Sequence, residues 1–279
     1  MIRLESLSYR YAETPTTVLR QISLTIPKGQ LVGVVGPSGA GKTTLAQVMS
    51  GFIPHVFGGE VTGAVTVAGR SVRNTPLPLL VSDIGLVSQN PFNQLSGAKF
   101  SVAEELAFGL ENLGVPRGEM VSRVDETLRR LRIAHLAERS PYQLSGGQQQ
   151  LVAIGSMMVM RPGVLVLDEP TSQLDPAGSG LVFDALGELR ERGVTVVLIE
   201  HKLEQLAEVA DRILALVDGE LRMDGPPSTV LAADELADWG IGRTRFTAAA
   251  VAAATHWPCG RPLPVTLAEA AAGFAEGAP

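Results

Sequence analysis

The chain has 279 residues, of which 45% are hydrophobic and 19% are charged, and its formal net charge is −6. This length can hold one large or two small domains with a well-buried core. The net negative charge argues against a broad surface for binding nucleic acid. No apolar run approaches the roughly eighteen residues that span a bilayer, so we do not expect the chain to form a membrane pore by itself.

The first predicted elements are strands, because their residues alternate between apolar and polar or are rich in β-branched types. Turn sequences at Pro27-Lys28-Gly29 and Ala68-Gly69-Arg70 follow two of these segments. The pattern predicts an antiparallel β-subdomain. Its strands are Ile2 to Tyr9, Gln21 to Ile26 and Val61 to Val67.

A glycine-rich loop joins the apolar run Leu31 to Val35, which is typical of a buried strand, to a helical segment from Lys42 to Met49. It fits the phosphate-binding pattern G-x-x-x-x-G-K-[ST]. Backbone N–H groups of such a loop converge on phosphate oxygens, and the helix N-terminus adds positive potential. Lys42 would reach the β- and γ-phosphates, and Thr43 would ligate Mg²⁺. The loop consists of Gly36, Pro37, Ser38, Gly39, Ala40, Gly41, Lys42, Thr43 and Thr44.

Further apolar runs predict a mostly parallel sheet, since strands buried on both faces are continuously apolar. They are Ile84 to Val87, Val164 to Leu167, Val194 to Ile199 and Ile213 to Leu216. Between Gln89 and Ser145 the pattern is helical, with helices predicted over Ser101 to Leu113 and Arg117 to Leu136. The fold class is therefore α/β, with a helical insert between strands of the sheet.

Two carboxylates, Asp168 and Glu169, directly follow the apolar run Val164 to Leu167. An acidic pair after a central strand is typical of a magnesium ligand followed by a base that activates water. Upstream of it, Leu144-Ser145-Gly146-Gly147-Gln148 opens an apolar helical stretch that ends at Arg161-Pro162-Gly163. In combination with the phosphate loop, these motifs predict a nucleoside triphosphatase.

The sequence Gly225-Pro226-Pro227 is typical of a boundary between structural units. We interpret it as the boundary between a nucleotide-binding domain, 1–225, and a helical C-terminal tail, 226–279. Before it, Asp218-Gly219 predicts a hairpin turn into a strand over Glu220 to Met223. In the tail, Asp234 to Trp239 before Gly240 and the capping box Thr266 to Glu269 predict short helices. The tail either is solvated or contacts a partner.

The order of these motifs resembles that of ATP-binding cassette (ABC) transporter ATPases, across nearly the whole chain. Gln89 matches the family's Q-loop glutamine, Leu144 to Gln148 its signature, and Ser172 to Asp175 its D-loop. His201, after a predicted strand, matches the switch histidine. Tyr11 stands where the family has an aromatic residue that stacks on adenine, and Tyr9 is the weaker alternative because it alternates into the first strand. The resemblance implies a P-loop NTPase (RecA-like) core with an antiparallel β-subdomain and a helical subdomain over about residues 90–160.

Several stretches resemble, more narrowly, the ATPases of energy-coupling factor (ECF) transporters, which import vitamins and transition-metal ions. Those ATPases commonly carry an acidic residue shortly after the Q-loop proline, where this chain has Phe92 and Asn93. The similar stretches are Gln89 to Leu95, Ser101 to Asn112, Pro170 to Pro176, Ile199 to Glu204 and Leu263 to Ala270.

The resemblance implies a role for each motif in ATP hydrolysis. Lys42 and the backbone of the loop would hold the phosphates, and Mg²⁺ would be held by Thr43, Gln89 and Asp168. Glu169 would deprotonate the attacking water, and His201 would hydrogen-bond the γ-phosphate. The signature residues would bind ATP held by the opposite subunit of a head-to-tail dimer, formed with the same chain or a paralogue. These signature residues are Ser145, Gly146, Gly147 and Gln148.

The expected location is the cytoplasmic face of the cell membrane, as a peripheral subunit bound to integral membrane partners. Cys259 is the single cysteine, which excludes an intrachain disulfide and fits a reducing compartment. Met1 to Leu4 begins a strand and lacks the arrangement of a secretory signal. Three alternatives remain at this point: the ATPase of another ABC importer, a soluble cassette ATPase acting on ribosomes or DNA, and an inactive regulatory cassette.

Overall fold

The computed structural model describes residues 1–276, whose strands form two sheets. The larger sheet has six strands in the order β10-β9-β3-β8-β7-β6, all parallel except the edge strand β10. Its central strands are apolar and buried along their whole length, as the sequence predicted. The strands are β3 (Leu31–Val35), β6 (Ile84–Val87), β7 (Val164–Asp168), β8 (Thr195–Ile199), β9 (Arg212–Val217) and β10 (Glu220–Gly225).

The smaller sheet is antiparallel, with strands in the order β2-β1-β4-β5. The predicted start of β2 at Gln21 is wrong, because pairing with β1 already begins at Thr17. Gln21 has a positive φ of 47° in a region where the register shifts, and this irregularity hides the alternation from the sequence pattern. The strands are β1 (Ile2–Arg10), β2 (Thr17–Ile26), β4 (Glu60–Val67) and β5 (Arg70–Ser71).

The predicted helical insert contains helices α4 (Val102–Asn112), α5 (Arg117–Arg130) and α6 (Gly146–Met158), with 3₁₀ turns before α6. The prediction of one helix from Arg117 to Leu136 is wrong, since α5 ends at Arg130. The chain reverses at Arg132, whose φ is 53°, and this reversal buries Ile133 and Leu136 in the core. Burial of these apolar side chains outweighs continuation of the helix.

The remaining helices of the domain flank the two sheets. Gly41, within the phosphate loop, is the N-cap residue of α1, and Asp175 caps α7 by accepting a hydrogen bond from the Gly178 amide. The helices are α1 (Lys42–Met49), α2 (Phe52–His55), α3 (Leu77–Leu80), α7 (Pro176–Glu191) and α8 (Leu203–Val209).

The tail forms short helices, as predicted, and its first part packs on the domain. Val230, Leu231 and Leu236 are buried in the same cluster as strands of the six-stranded sheet. Glu269 accepts a hydrogen bond from the Thr266 amide, and its own amide donates to the Thr266 hydroxyl, which confirms the capping box. The helices are α9 (Pro227–Val230), α10 (Glu235–Asp238), α11 (Arg245–Ala252) and α12 (Leu267–Glu276).

The division of the chain at residue 225 stays a prediction, and the last three residues of the predicted tail lie outside the described residues. The predicted hairpin is present, because Asp218 and Gly219 both have positive φ between β9 and β10. Among residues 1–276, no helix combines the length and the apolar character needed to cross a membrane.

Candidate nucleotide site

The phosphate loop connects β3 to α1 at the carboxyl end of the sheet. The N-cap residue of α1 is Gly41, with φ 97°, and no side chain caps the helix. Gly36 must lack a side chain, because a Cβ there would lie 2.2 Å from the carbonyl oxygen of Leu216. The first amides of α1 are therefore presented at a helix N-terminus without a side-chain acceptor, an arrangement suited to phosphate oxygens.

Lys42, near the C-terminal end of the phosphate loop, is buried. Its ammonium donates hydrogen bonds to the carbonyl oxygens of Gly36 (2.8 Å) and Pro37 (3.0 Å). Burial lowers the pKa of Lys42, and the nearby carboxylates of Glu169 and Asp168 act in the opposite direction. The loop thus holds a desolvated cation at its centre, where its attraction for phosphate is stronger than it would be in water.

Asp168 ends β7 with a buried carboxyl group that is 4% exposed. Burial raises its pKa, partly offset by a hydrogen bond with the Thr43 side chain, while the charge of Glu169 raises it further. Among the described residues, its Oδ1 atom has no hydrogen-bond partner. A buried carboxylate oxygen without a donor, beside a hydroxyl, fits the oxygen ligands that Mg²⁺ prefers.

Glu169 lies at the centre of the site. Its carboxylate is hydrogen-bonded at both oxygens: Gln89 Nε2 donates to Oε2 at 2.7 Å, and His201 Nε2 lies 2.9 Å from Oε1. The three side chains follow β6, β7 and β8, which are neighbours in the sheet. Parallel strands bring their carboxyl ends to one edge, so residues separated by 80 and 32 positions meet there.

The backbone of Glu169 is also unusual. Its φ is 49°, and its amide donates to the carbonyl oxygen of Ile199 at 2.9 Å. A non-glycine residue in the left-handed region is uncommon and clusters at functional sites, where surrounding contacts hold it. The turn directs the carboxylate away from the strand and toward Gln89 and His201.

The two candidate aromatic residues occupy different environments. Tyr9 is 1% exposed and donates a hydrogen bond to the Gly58 carbonyl, so it belongs to the core. Tyr11 is only half-buried, and its hydroxyl lies 3.0 Å from Oγ1 of Thr44 in α1. The structure therefore brings Tyr11 next to the phosphate loop, and its contact with adenine remains a prediction.

The signature residues lie at the N-terminus of α6. Ser145 accepts a hydrogen bond from the Gln148 amide and Gln148 accepts one from the Ser145 amide, a capping box that the sequence analysis did not identify. A Cβ on Gly147 would lie 3.1 Å from the carbonyl oxygen of Gln173, and one on Gly146 would lie 2.7 Å from its side chain. The signature thus packs against the D-loop of its own chain.

The Q-loop is held by a glutamine that the sequence analysis missed as an individual site residue. Gln94 accepts a hydrogen bond from the Ser88 amide (3.0 Å) and donates one to the Leu86 carbonyl (2.6 Å), which closes the loop on itself. Beside it is a mostly apolar groove of about 520 Å³ between the sheet and the helical insert, lined among others by Phe52, Phe57, Met157 and Met160. Phe92, at the tip of the Q-loop, is 60% exposed.

Glu200 and Lys202 were also missed, although both flank the switch histidine His201. The available signal was an acidic residue placed directly at the end of a fully apolar strand, where a solvated carboxylate is not expected. Both residues form hydrogen bonds with Thr171.

Comparison with known protein families gives one match that covers more than half of the chain. The family model for the ABC transporter matches residues 19–172. A putative ABC transporter ATP-binding protein of Methanosarcina mazei is 40% identical over 84% of this chain, which covers 40% of that protein. This chain therefore spans about two fifths of the length of that relative. The energy-coupling factor transporter ATP-binding protein EcfA1 of Lacticaseibacillus paracasei is 42% identical, with 82% of this chain and 80% of that protein covered.

Two solved structures are similar over most of the chain. CbiO1 from Clostridium perfringens, described as part of the ABC transporter complex CbiONQ, has a TM-score of 0.72 and 32% identity, covering 84% of this chain and 92% of CbiO1. A dimeric ATP-binding cassette in a post-hydrolysis state with ADP and Pi also has a TM-score of 0.72, with 26% identity, covering 81% of this chain and 99% of that one.

Proposed function

Because the chain belongs to the ABC transporter family, whose ATP-binding domains bind and hydrolyse ATP, we propose that it is the ATP-hydrolysing subunit of a membrane transporter. The observation that carries this proposal is the convergence of Gln89, Glu169 and His201 beside the phosphate loop. Glu169 was predicted from its own pattern, and Gln89 and His201 from the family resemblance; each follows a different strand of the parallel sheet.

Catalysis by this chain rests on positioning and charge, since phosphoryl transfer to water leaves little covalent work to a protein. The amides at the start of α1 and the Lys42 ammonium would hold the phosphates. Thr43 and Asp168, with Gln89 from the family resemblance, would hold Mg²⁺, which when bound would neutralise charge on the phosphate oxygens.

Glu169 is proposed as the general base that takes a proton from the attacking water. Each carboxylate oxygen can accept two hydrogen bonds, so Glu169 can bind that water while it keeps its contacts with Gln89 and His201. It can also bind the water after releasing His201, whose imidazole would then donate to a γ-phosphate oxygen.

The signature is proposed to act on ATP bound by a second cassette. Ser145 and Gly146 are exposed at the start of α6, and their neighbours are D-loop residues of the same chain. The dimeric cassette among the structural neighbours supports a dimer of this kind. Its partner would be a second copy of this chain or a paralogue.

We further propose that the transporter is of the ECF type and imports a vitamin or a transition-metal ion, with this chain peripheral on the cytoplasmic face. The similarity to EcfA1 and to CbiO1 supports this assignment. The apolar groove beside the Q-loop, which is lined by the 50% exposed Phe57, is the proposed contact with an integral membrane subunit. Phe92 and Asn93 at the position of the commonly acidic residue favour the alternative, the ATPase of another ABC importer.

Phosphate release by the purified chain tests the enzymatic part of the proposal. We expect Mg²⁺-dependent release of phosphate from ATP, with a specific rate that rises with protein concentration because a dimer forms. The same measurement with EDTA is the control. No release at any concentration, or release that EDTA leaves unchanged, would exclude this function for the isolated chain.

Copurification from membranes tests the transport part. The tagged chain should retain integral membrane proteins, one small and one larger if the transporter is of the ECF type, and Phe57→Ser, in the groove, should reduce their recovery. Val251→Ser, which changes an apolar residue that is 41% exposed in the tail, is the matched control. Equal recovery with wild type and Phe57→Ser would remove the groove as the contact.

A further inference from the structure

Glu200 is a buried carboxylate at the end of β8, only 3% exposed. It is hydrogen-bonded by three donors. Its Oε1 accepts from the Thr171 amide (3.1 Å) and the Thr171 hydroxyl (2.5 Å), and its Oε2 accepts from the His201 amide (3.0 Å). Burying a carboxylate is costly unless it is satisfied in this way, so its two oxygens join two specific backbone positions.

Lys202, on the other side of His201, reaches the same threonine. Its ammonium donates to the Thr171 carbonyl oxygen (3.0 Å) and to the Ser179 hydroxyl in α7 (2.6 Å). All polar groups of Thr171 are therefore bonded by the two residues that flank the switch histidine. A neutral or shorter side chain at 200 or 202 could not make the same set of contacts.

Thr171 in turn supports the base and the D-loop. The Ser172 amide donates to the Glu169 carbonyl (3.2 Å), and the Leu174 amide donates to the Thr171 carbonyl (3.2 Å). Thr171 thus lies in the turn that leaves Glu169 and enters the D-loop, whose Gln173 and Leu174 lie against Gly147 of the signature. The turn after β7 is therefore bonded to the segment after β8 through the contacts of Thr171 with Glu200 and Lys202.

We propose that Glu200 and Lys202 are positioning residues that fix His201 against Glu169 by clamping Thr171. This clamp, the bonds of Glu200 and Lys202 to Thr171, holds the backbone at both ends of the 2.9 Å contact between His201 Nε2 and Glu169 Oε1. Through Thr171 it also couples His201 to the D-loop and the signature. The catalytic part of this inference rests on the proposed ATPase function, whereas the effect on the His201–Glu169 contact does not.

A double-mutant cycle separates positioning from general stability. Glu200→Gln keeps the shape but has only one acceptor oxygen, so we expect kcat for ATP to fall about tenfold or more while KM changes less than about threefold. In a His201→Ala background, Glu200→Gln should lower kcat only about threefold or less, because the residue it positions is gone and only its support of the turn after Glu169 remains. Glu200→Asp, which keeps both oxygens, should recover part of the loss.

Glu208→Gln is the matched control, because it makes the same chemical change at an exposed position in α8, the helix that follows His201. Thr171→Val and Lys202→Met keep the inference testable if Glu200→Gln fails to fold. Both should lower kcat, as Glu200→Gln does. Equal losses from Glu200→Gln with and without His201, or a Glu200→Gln protein that behaves as Glu208→Gln does, would overturn the inference.

Crystal structures of Thr171→Val and Glu200→Gln provide a readout that does not depend on activity. The inference predicts that the distance from His201 Nε2 to Glu169 Oε1 lengthens beyond hydrogen-bonding range in Glu200→Gln. A contact unchanged in both variants would overturn it even if the protein proved inactive toward ATP. Conversely, an inactive wild type with a displaced His201 in Glu200→Gln would remove the proposed function and leave the clamp standing.

Discussion

The N-termini of α1 and α6 both begin at glycine-rich sequences, yet they are completed in different ways. No side chain caps α1, and the groups around it are a buried Lys42 and the carboxylates that follow β7. Ser145 and Gln148 cap α6 reciprocally, and the helix start is exposed. The N-terminus of α1 therefore leaves its first amides open to an anion, whereas α6 is capped by its own side chains and leaves Gly146 exposed.

This difference fits the proposed roles, nucleotide chemistry at α1 and assembly at α6. Substitutions around α1 should change ATP binding or turnover within one subunit, and substitutions at α6 should act through stability or the dimer. The following variants test that separation, beginning with the largest expected effect.

Glu169→Gln should have the largest effect on turnover. The amide keeps the shape of the side chain but is not a base, so we expect hydrolysis to fall by about 100-fold or more. ATP should still bind, and the dimer with ATP should become stable enough to isolate by size-exclusion chromatography. Glu191→Gln, at an exposed position at the end of α7, is the control. Turnover within tenfold of wild type would remove Glu169 as the base.

Lys42→Ala should weaken ATP binding. It removes charge-assisted hydrogen bonds to phosphate worth about 1.5 to 3 kcal/mol each, which corresponds to an affinity loss of tenfold or more. Calorimetric titration with ATP measures the change, and Lys28→Ala, at an exposed position before β3, is the control. An unchanged dissociation constant would contradict the role of Lys42.

Ser145→Ala should lower stability rather than nucleotide binding. Loss of the side-chain cap of α6 should reduce the free energy of unfolding by about 1 kcal/mol, as measured by urea denaturation. Ser38→Ala, in the phosphate loop, removes an exposed hydroxyl that caps no helix and should leave stability unchanged. Equal effects of the two substitutions would contradict the difference between the two helix ends.

Asp168→Asn should stabilise the protein in the absence of nucleotide and Mg²⁺, although it impairs turnover. Burial raises the pKa of Asp168 in the folded state above its value in the unfolded chain, so the charged form destabilises the fold at neutral pH. A tenfold difference in proton affinity between the two states corresponds to about 1.4 kcal/mol. The stability difference between variant and wild type should therefore shrink as the pH falls through the folded-state pKa and Asp168 becomes protonated. A difference that is independent of pH would exclude this explanation.

The sequence predicted the parallel sheet and the acidic pair at its edge because these signals are local. Each buried strand is a short apolar run, and Asp168 and Glu169 lie at or just beyond the end of such a run. Gln89 and His201 were predicted from the family resemblance. Two backbone irregularities were not predictable in this way: the positive φ at Gln21 and the reversal at Arg132 depend on which side chains the finished core buries.

The contacts among site residues were also beyond the sequence pattern. Glu200 and Thr171 are 29 positions apart, and only the adjacency of β7 and β8 brings them together. The hydrogen bonds of Glu169 to Gln89 and His201 depend on the same sheet order. Motif spacing identified the residues individually, whereas their pairing required the three-dimensional arrangement.

Subunit mixing tests the shared site most directly. Gly147→Asp should bind ATP as wild type does but fail to dimerise and hydrolyse it, since its carboxylate would face the partner's γ-phosphate. Gly147→Ala adds the same Cβ, 3.1 Å from the Gln173 carbonyl, without the charge and is the matched control.

Mixed with Lys42→Ala, the Gly147→Asp protein should recover activity above the sum of the two variants. Random pairing gives mixed dimers with one intact site, and so at most about one quarter of the wild-type rate if the sites are independent. Hydrolysis at the full wild-type rate by Gly147→Asp alone, at a dilution where it is demonstrably monomeric, would contradict a site shared between subunits.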